Sequence, residues 1–265
     1  MTSLLLILLS IASVPGRSAA NSVRIALYGG GGAILGDKDY PYQKTLEQAA
    51  ESAFRNSSVT VLLEDDIRRN LTNDAFDAVF FPGGSGHAQA TALGAEGLAA
   101  VRAFVSAGGG YIGTCAGAFL GMSSLLFYGE GPSGQGPPAQ SLGTGTVQVE
   151  FTDQAFQDLA LDRLAFSGNV TIFYMGGPVV APESLPASVS VLAWYRSKLP
   201  SMSPGGDEGL NTPAVTSSEY GGGRVVLNSP HAEHTKSAPI GPAFYRGELE
   251  WIIRRREEIQ LVSFV

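Results

Sequence analysis

The sequence predicts an α/β fold built on a mostly parallel sheet. Two patterns carry that prediction. Short apolar runs alternate with helical ones up to residue 115, and three of those apolar runs end at glycine-rich turns. Strands alternating with helices favour right-handed crossovers and parallel pairing. Sites in such sheets gather at the carboxyl ends of the strands, which is where the glycine turns fall.

The elements follow in order. Val23 to Tyr28 (VRIALY) reads as a buried strand that runs into Gly29–Gly32. Gln43 to Arg55 is helical, with Leu46, Ala49, Ala50 and Ala53 on one face. Val59 to Leu63 is a second strand. Asp77 to Phe81 (DAVFF) is a third, ending in Pro82-Gly83-Gly84-Ser85-Gly86. Leu98 to Val105 belongs to a helix closed by Gly108–Gly110, and Tyr111 to Thr114 is a short strand ending at Cys115. Glu130 to Gly145 and Pro200 to Pro213 are rich in Gly, Pro and Ser and read as loops bordering a pocket. Between them lie β-type runs at 147–151, 170–174 and 189–194. Pro213 to Pro230 reads as a hairpin turning at Gly221–Gly223, and a last helix runs from about Ala243 to Ile259. No repeat divides the chain, so residues 21–265 are expected to form one domain.

Residues 1–20 differ in character. Leu4 to Val14 (LLLILLSIASV) has the length of a secretory h-region, and Ser18-Ala19-Ala20 supplies the small residues of a cleavage site. A signal peptide is expected, with no stable membrane span after its cleavage, and with it secretion or an endomembrane lumen. The sequons at Asn56, Asn70 and Asn169 fit that route. The net charge is −7, and the basic run Arg254–Arg256 is followed at once by Glu257 and Glu258. That run reads as a solvated helix face, and no nucleic-acid footprint is expected.

Cys115 is the one cysteine in 265 residues, so an intramolecular disulfide is excluded. It is a buried inert thiol, an intermolecular link or a reactive group. Gly113-Thr114-Cys115-Ala116-Gly117 has the G-x-C-x-G shape of a nucleophile elbow, in which small residues flank a strained turn. The Ala116 amide would then donate to an oxyanion. Three histidines are candidate partners. His231 and Glu233 lie two apart in SPHAEH, which puts both on one face of an extended segment, where the carboxylate orients the imidazole. His234 then points elsewhere, as a surface histidine. His87 follows the third strand and is a candidate for substrate binding or for capping a turn. Neither a metal nor a cofactor is expected. His231, Glu233 and His234 lack helical ligand spacing, and Gly29–Gly32 lacks the G-x-G-x-x-G spacing of a nucleotide site.

YGGGG (Tyr28–Gly32), FFPGGSG (Phe80–Gly86), GGGYIGTCAGAFLG and YGGGRVVLNSPHAEH, in that order, resemble the biotin-protein ligase N-terminal domain family. That family lies within the class I glutamine amidotransferase-like superfamily. The resemblance implies a flavodoxin-like three-layer sandwich. It also implies a triad of Cys115, His231 and Glu233, with oxyanion amides from Gly83 or Gly84 joining Ala116, and Gly30 near the substrate. No ligase half follows His234, so biotin ligation is not implied, and Ala232 replaces the usual proline between the histidine and the glutamate. The expected function is a cysteine-dependent hydrolase acting on an amide or acyl substrate through a thioester. The alternative is a binding module that keeps the fold and site but turns nothing over. A redox sensor would lack a resolving cysteine. The oligomeric state is not legible.

Overall fold

A computed structural model describes residues 22–36, 38–123, 125–128, 139–200, 209–237 and 240–253. The expected signal segment, the charge run 254–258 and parts of both expected loops lie outside the described residues.

The first half of the chain alternates as expected. Strand β1 (Val23–Tyr28) leads to α1 (Tyr42–Ala53), β2 (Ser57–Leu62), α2 (Glu64–Asn70), β3 (Ala78–Phe81), α3 (Gly86–Ser106), β4 (Gly110–Thr114) and α4 (Ala116–Met122). α3 starts where Ser85 accepts a hydrogen bond from the Ala88 amide. It breaks at Gly94, whose φ of 62° is left-handed. Arg68 of α2 donates to the carbonyls of Ala92 and Leu93 beside that break.

The second half contains β5 (Gln140–Ser141), β6 (Thr144–Phe151), α5 (Asp153–Asp158), α6 (Arg163–Phe166), β7 (Asn169–Met175), β8 (Pro178–Val179), β9 (Ser190–Tyr195), β10 (Pro213–Tyr220), β11 (Gly223–Asn228) and α7 (Ile240–Ile253). β10 and β11 form the expected hairpin across Gly221 and Gly222.

Among the described residues, nine strands make one sheet in the order β2-β1-β3-β4-β11-β10-β9-β6-β7. The expected mostly parallel, flavodoxin-like sheet is corrected here. β2, β1, β3, β4 and β11 are parallel to one another. From β11 to β7, every pairing is antiparallel. The reason lies in the connections. Parallel neighbours need a long crossover, which α1, α2 and α3 supply. Among the later strands, a two-residue turn joins β10 to β11 and two short helices join β6 to β7, each returning the chain beside the strand just left, whereas β9 lands beside β6 rather than β7.

The central strands β3, β4 and β11 are buried on both faces. Ile25, Leu27, Phe80 and Ile112 share one core with Leu46 and Ala49 of α1 and with Phe244, Leu249 and Ile252 of α7. Ala26, Tyr28, Val79, Phe81 and Tyr111 face the other way, into a core shared with Leu93, Val101 and Phe104 of α3 and with Leu120 of α4. Adjacent residues on one strand therefore enter different cores, as strand geometry requires. The parallel half then reads as near-continuous apolar runs. Among the described residues, no helix is long and apolar enough to cross a membrane.

Candidate functional site

Cys115 sits on the turn from β4 into α4 with φ 52° and ψ −103°, a strained conformation for a residue with a Cβ. The crossing is tight. A Cβ at Gly113 would collide with the Gly117 carbonyl, and one at Gly117 with the carbonyl of Phe81. Neighbouring strands fix the turn. The Cys115 amide donates to Asn228 O (2.8 Å) at the end of β11, and the Gly117 amide donates to Pro82 O (3.2 Å) after β3. The tight strand-to-helix turn is present, with the small neighbours it requires.

His231 follows β11 after Ser229 and Pro230. Its amide donates to Phe173 O on β7 (2.7 Å), and its carbonyl accepts from Ser237 Oγ (2.7 Å). His231 Nδ1–H donates to Glu233 Oε1 at 2.7 Å. The two meet through a turn, in which the His234 amide donates to His231 O, rather than along an extended segment. Glu233 Oε2 accepts from Tyr245 OH of α7 (2.6 Å), and the Glu233 charge also acts on Tyr42 OH of α1. Tyr42 OH lies 3.0 Å from His231 Nδ1. Burial, and then the Glu233 charge, push both tyrosines well above their ordinary value, so they stay protonated donors. Burial alone would lower the His231 pKa. The charge of Glu233 and hydrogen bonding with Cys115 and Glu233 outweigh burial and hold the imidazole well above its usual range. That shift favours the protonated imidazole, in which both ring nitrogens carry hydrogens and donate.

The second of those hydrogens decides the chemistry. His231 Nε2–H donates to the main-chain carbonyl of Met175 at 3.2 Å, and Cys115 Sγ–H reaches the same oxygen at 3.5 Å. The expected catalytic hydrolase, with Cys115 as nucleophile, His231 as base and Glu233 as third member, is corrected accordingly. The lone cysteine is buried, at 7% exposure. His231 is a donor already satisfied by the chain itself, not a free base poised to take a thiol proton. Among the described residues, no group of three or more His, Cys, Asp or Glu is placed to hold a metal.

The remaining candidates divide. Gly83 lies against the site, because a Cβ there would reach His231 Cε1 at 3.3 Å and press on Tyr42 OH. Gly84, at φ 132°, is held close to the Gly32 carbonyl. Ala116 is buried beside Cys115. Gly30 faces a different group, since a Cβ there would strike the Glu64 carboxylate, whose Oε1 accepts the Gly31 amide at 2.5 Å. His87 is exposed on the first turn of α3. His234 is not at the surface. It is buried, stacked on Phe173 at 3.8 Å, and accepts the Lys236 amide on Nδ1. Asn56, Asn70 and Asn169 are all exposed. A cavity of about 350 Å³ lies beside α1, lined by Leu35, Gly36, Pro41, Gln43, Lys44 and Glu47, and Cys115 is not part of it. The expected loops do meet at the site's edge: Gly143 N donates to Pro200 O at 2.5 Å and Gly176 N to Gly143 O at 3.2 Å.

Several residues of the site carry no sequence signature. Tyr42 and Tyr245 read as ordinary inward positions of amphipathic helices. Met175 contributes a backbone carbonyl, which no side-chain pattern reports. Glu248 lies one helical turn beyond Tyr245 and is fully buried, accepting Asn228 Nδ2 at 3.0 Å. Burial pushes its carboxyl well above the usual range, which favours the protonated form.

The family pattern described as biotin-protein ligase, N terminal, matches residues 42–135 and 139–243, most of the chain. The chain belongs to the biotin-protein ligase N-terminal family. Among curated proteins, none matches this member of the family. Similar solved structures include PurLQS from Thermotoga maritima, with a TM-score of 0.56 at 15% identity over 87% of this chain and 97% of that one. They include the cytoplasmic protein STM3548 from Salmonella typhimurium, with a TM-score of 0.54 at 12% identity over 87% and 99%. A thua-like protein from Bacteroides uniformis gives 0.51 at 14% identity over 90% and 94%. Likeness at these identities concerns the fold alone.

Proposed function

We propose that this biotin-protein ligase N-terminal domain is a small-molecule binding module that turns nothing over. The observation that carries the proposal is the convergence of two buried donors, Cys115 Sγ–H and His231 Nε2–H, on a single oxygen. They come from different strand ends, and a fixed network of Glu233, Tyr42 and Tyr245 holds the imidazole charged and oriented. A buried donor pair on a rigid scaffold recognises an acceptor oxygen and orients the molecule that bears it. The ligand is accordingly expected to present a carbonyl or carboxylate. The family's name adds biotin to the probes, because biotin carries both groups.

Two wider statements belong to the same proposal. Kinship with the class I glutamine amidotransferase-like superfamily rests on the Cys115 elbow and the His231–Glu233 pair, as shared architecture rather than shared activity. Residence in a secretory lumen or outside the cell rests on residues 4–20 and on the sequons.

The test is a titration of labelled protein with acetamide, acetate and biotin, followed by NMR at the His231 ring and the Cys115 amide. A saturable shift at both, weakened at least about tenfold in His231→Gln, is the expected result. Absence of a saturable shift with all three probes would sink the proposal.

A further inference from the structure

The oxygen that fills the donor pair belongs to the protein, and its position on β7 is unusual. Met175 is the last residue of β7 and lies opposite Thr144 of β6. The next residue, Gly176, donates its amide to Gly143 O on the β6 side. Antiparallel strands alternate the direction of their backbone groups, so Met175 turns its own carbonyl away from β6, toward Cys115 and His231. Phe173, two residues earlier, sends its carbonyl the same way, to the His231 amide. Thus one peptide plane, Met175–Gly176, has its C=O in the site and its N–H on Gly143.

That plane is poised to rotate. Gly177 after it is anchored, with no room for a Cβ against the Ser229 carbonyl and with its own carbonyl accepting Tyr174 OH at 2.8 Å. Tyr174 before it is fully buried. Gly176 has φ 63°, a left-handed value that glycine shares readily with its negative counterpart. Rotating Met175 ψ and Gly176 φ in opposite senses turns the plane over without moving either anchor. The Met175 side chain, 46% exposed, covers the site from outside, with its sulfur 2.7 Å from Tyr40 OH.

We propose that the Met175–Gly176 peptide is a flip switch that closes the site with its carbonyl and, on turning over, presents the Gly176 N–H as a third donor to a ligand's carbonyl or carboxylate. This deepens the binding reading above and rests on it. The flip exchanges an acceptor for a donor at one position. Ligand binding would replace the Met175 oxygen with the ligand's own and add a bond that the closed form cannot make. The cost is the Gly176–Gly143 hydrogen bond, just beyond the last paired residues of β6 and β7. A ligand without an acceptor oxygen would gain nothing from the flip and would leave the site closed.

The substitution that tests the switch is Gly176→Ala. A side chain at φ 63° is disfavoured, whereas the flipped peptide gives this residue an ordinary negative φ. The contact a new Cβ would meet is the end of the Ser141 side chain, which can turn away by giving up its 3.0 Å hydrogen bond to the Gly176 carbonyl. Alanine therefore biases the plane toward the open form. Alkylation of Cys115 by iodoacetamide should become about fivefold faster than in the wild type. Exchange of the Ile172 amide, deep in β7, should stay unchanged and so exclude general unfolding as the cause. A role confined to shaping the turn would predict no acceleration. An unchanged or slower rate overturns the switch, as does an acceleration matched by faster Ile172 exchange. Acetamide, acetate and biotin are then titrated into the same variant. If alkylation accelerates and the His231 ring still ignores all three probes, the switch stands and the binding reading falls. If the probes bind the wild type and alkylation does not accelerate, the switch alone falls.

Discussion

Burial and charge act in different balance at His231 and Glu248: at His231 the Glu233 carboxylate outweighs burial, and at Glu248 burial dominates and the Glu233 charge adds to it. Both have consequences for stability. The folded pKa of His231 is raised above its unfolded value, chiefly by Glu233 against the opposing effect of burial. Its stabilisation is thus complete below about pH 6.5 and is lost as pH rises through the higher folded value. The Glu248 pKa is raised too, by burial, so the native state keeps a proton that the unfolded chain releases above about pH 4.5. That also costs stability as pH rises. Urea unfolding between about pH 5 and 9 should therefore show stability falling toward alkaline pH. Glu248→Gln, an isostere of the neutral acid, should flatten the lower part of the decline, and Glu233→Gln the upper part. A decline of the same slope in both variants would place the linkage elsewhere. At this scale the sequence was legible where residues lie close together along the chain. His231 and Glu233 are two apart and could be paired by inspection. Glu248 could not, because a glutamate on a helix is by default a surface residue, and Asn228 reaches it from a different layer.

Among the elements, two glycines separate the cost of conformation from the cost of space. Gly94 breaks α3 at φ 62°, with nothing within 4 Å of where a Cβ would stand. Gly94→Ala should cost only the backbone conformation, φ 62° with ψ −176°, a pairing open almost to glycine alone, at about 2 kcal/mol. Gly117 has no such φ, but a Cβ there would collide with the Phe81 carbonyl. Gly117→Ala should cost about 3 kcal/mol and displace β3 from α4. Chemical denaturation of the two variants checks the order, and equal losses would refute it. The glycines of GTCAG showed their purpose in the sequence, because tight strand-to-helix turns demand small neighbours. α2 did not. Its residues EDDIRRN bury only Ile67, so no apolar stripe marks it, and it is held by Asp65–Arg68 pairing and by Arg68 on α3. The antiparallel half was hidden for another reason. Its strands were visible at nearly the right positions, but a single sequence gives no sign of partner or direction where hairpins and short helices replace long crossovers.

For the whole molecule, the three sequons offer a simple check on compartment. Asn56, Asn70 and Asn169 stand exposed before β2, at the end of α2 and at the start of β7, so the fold obstructs none of them. Expressed through a secretory pathway, the chain should run larger on a denaturing gel and shrink on treatment with an N-glycosidase. A single band unaffected by the enzyme would remove the support that the sequons lend to export. The order of strands has a consequence for how such a chain is made. β4 and β11 are neighbours at the centre of the sheet, yet β11 is synthesised more than a hundred residues after β4. Until the ribosome has released residues 223–228, the outer edge of β4 has no partner, and the turn bearing Cys115 lacks the Asn228 carbonyl that fixes it. A nascent chain must therefore carry an open, apolar strand edge while more than a hundred further residues are made, the kind of surface that chaperones shield and that other chains join.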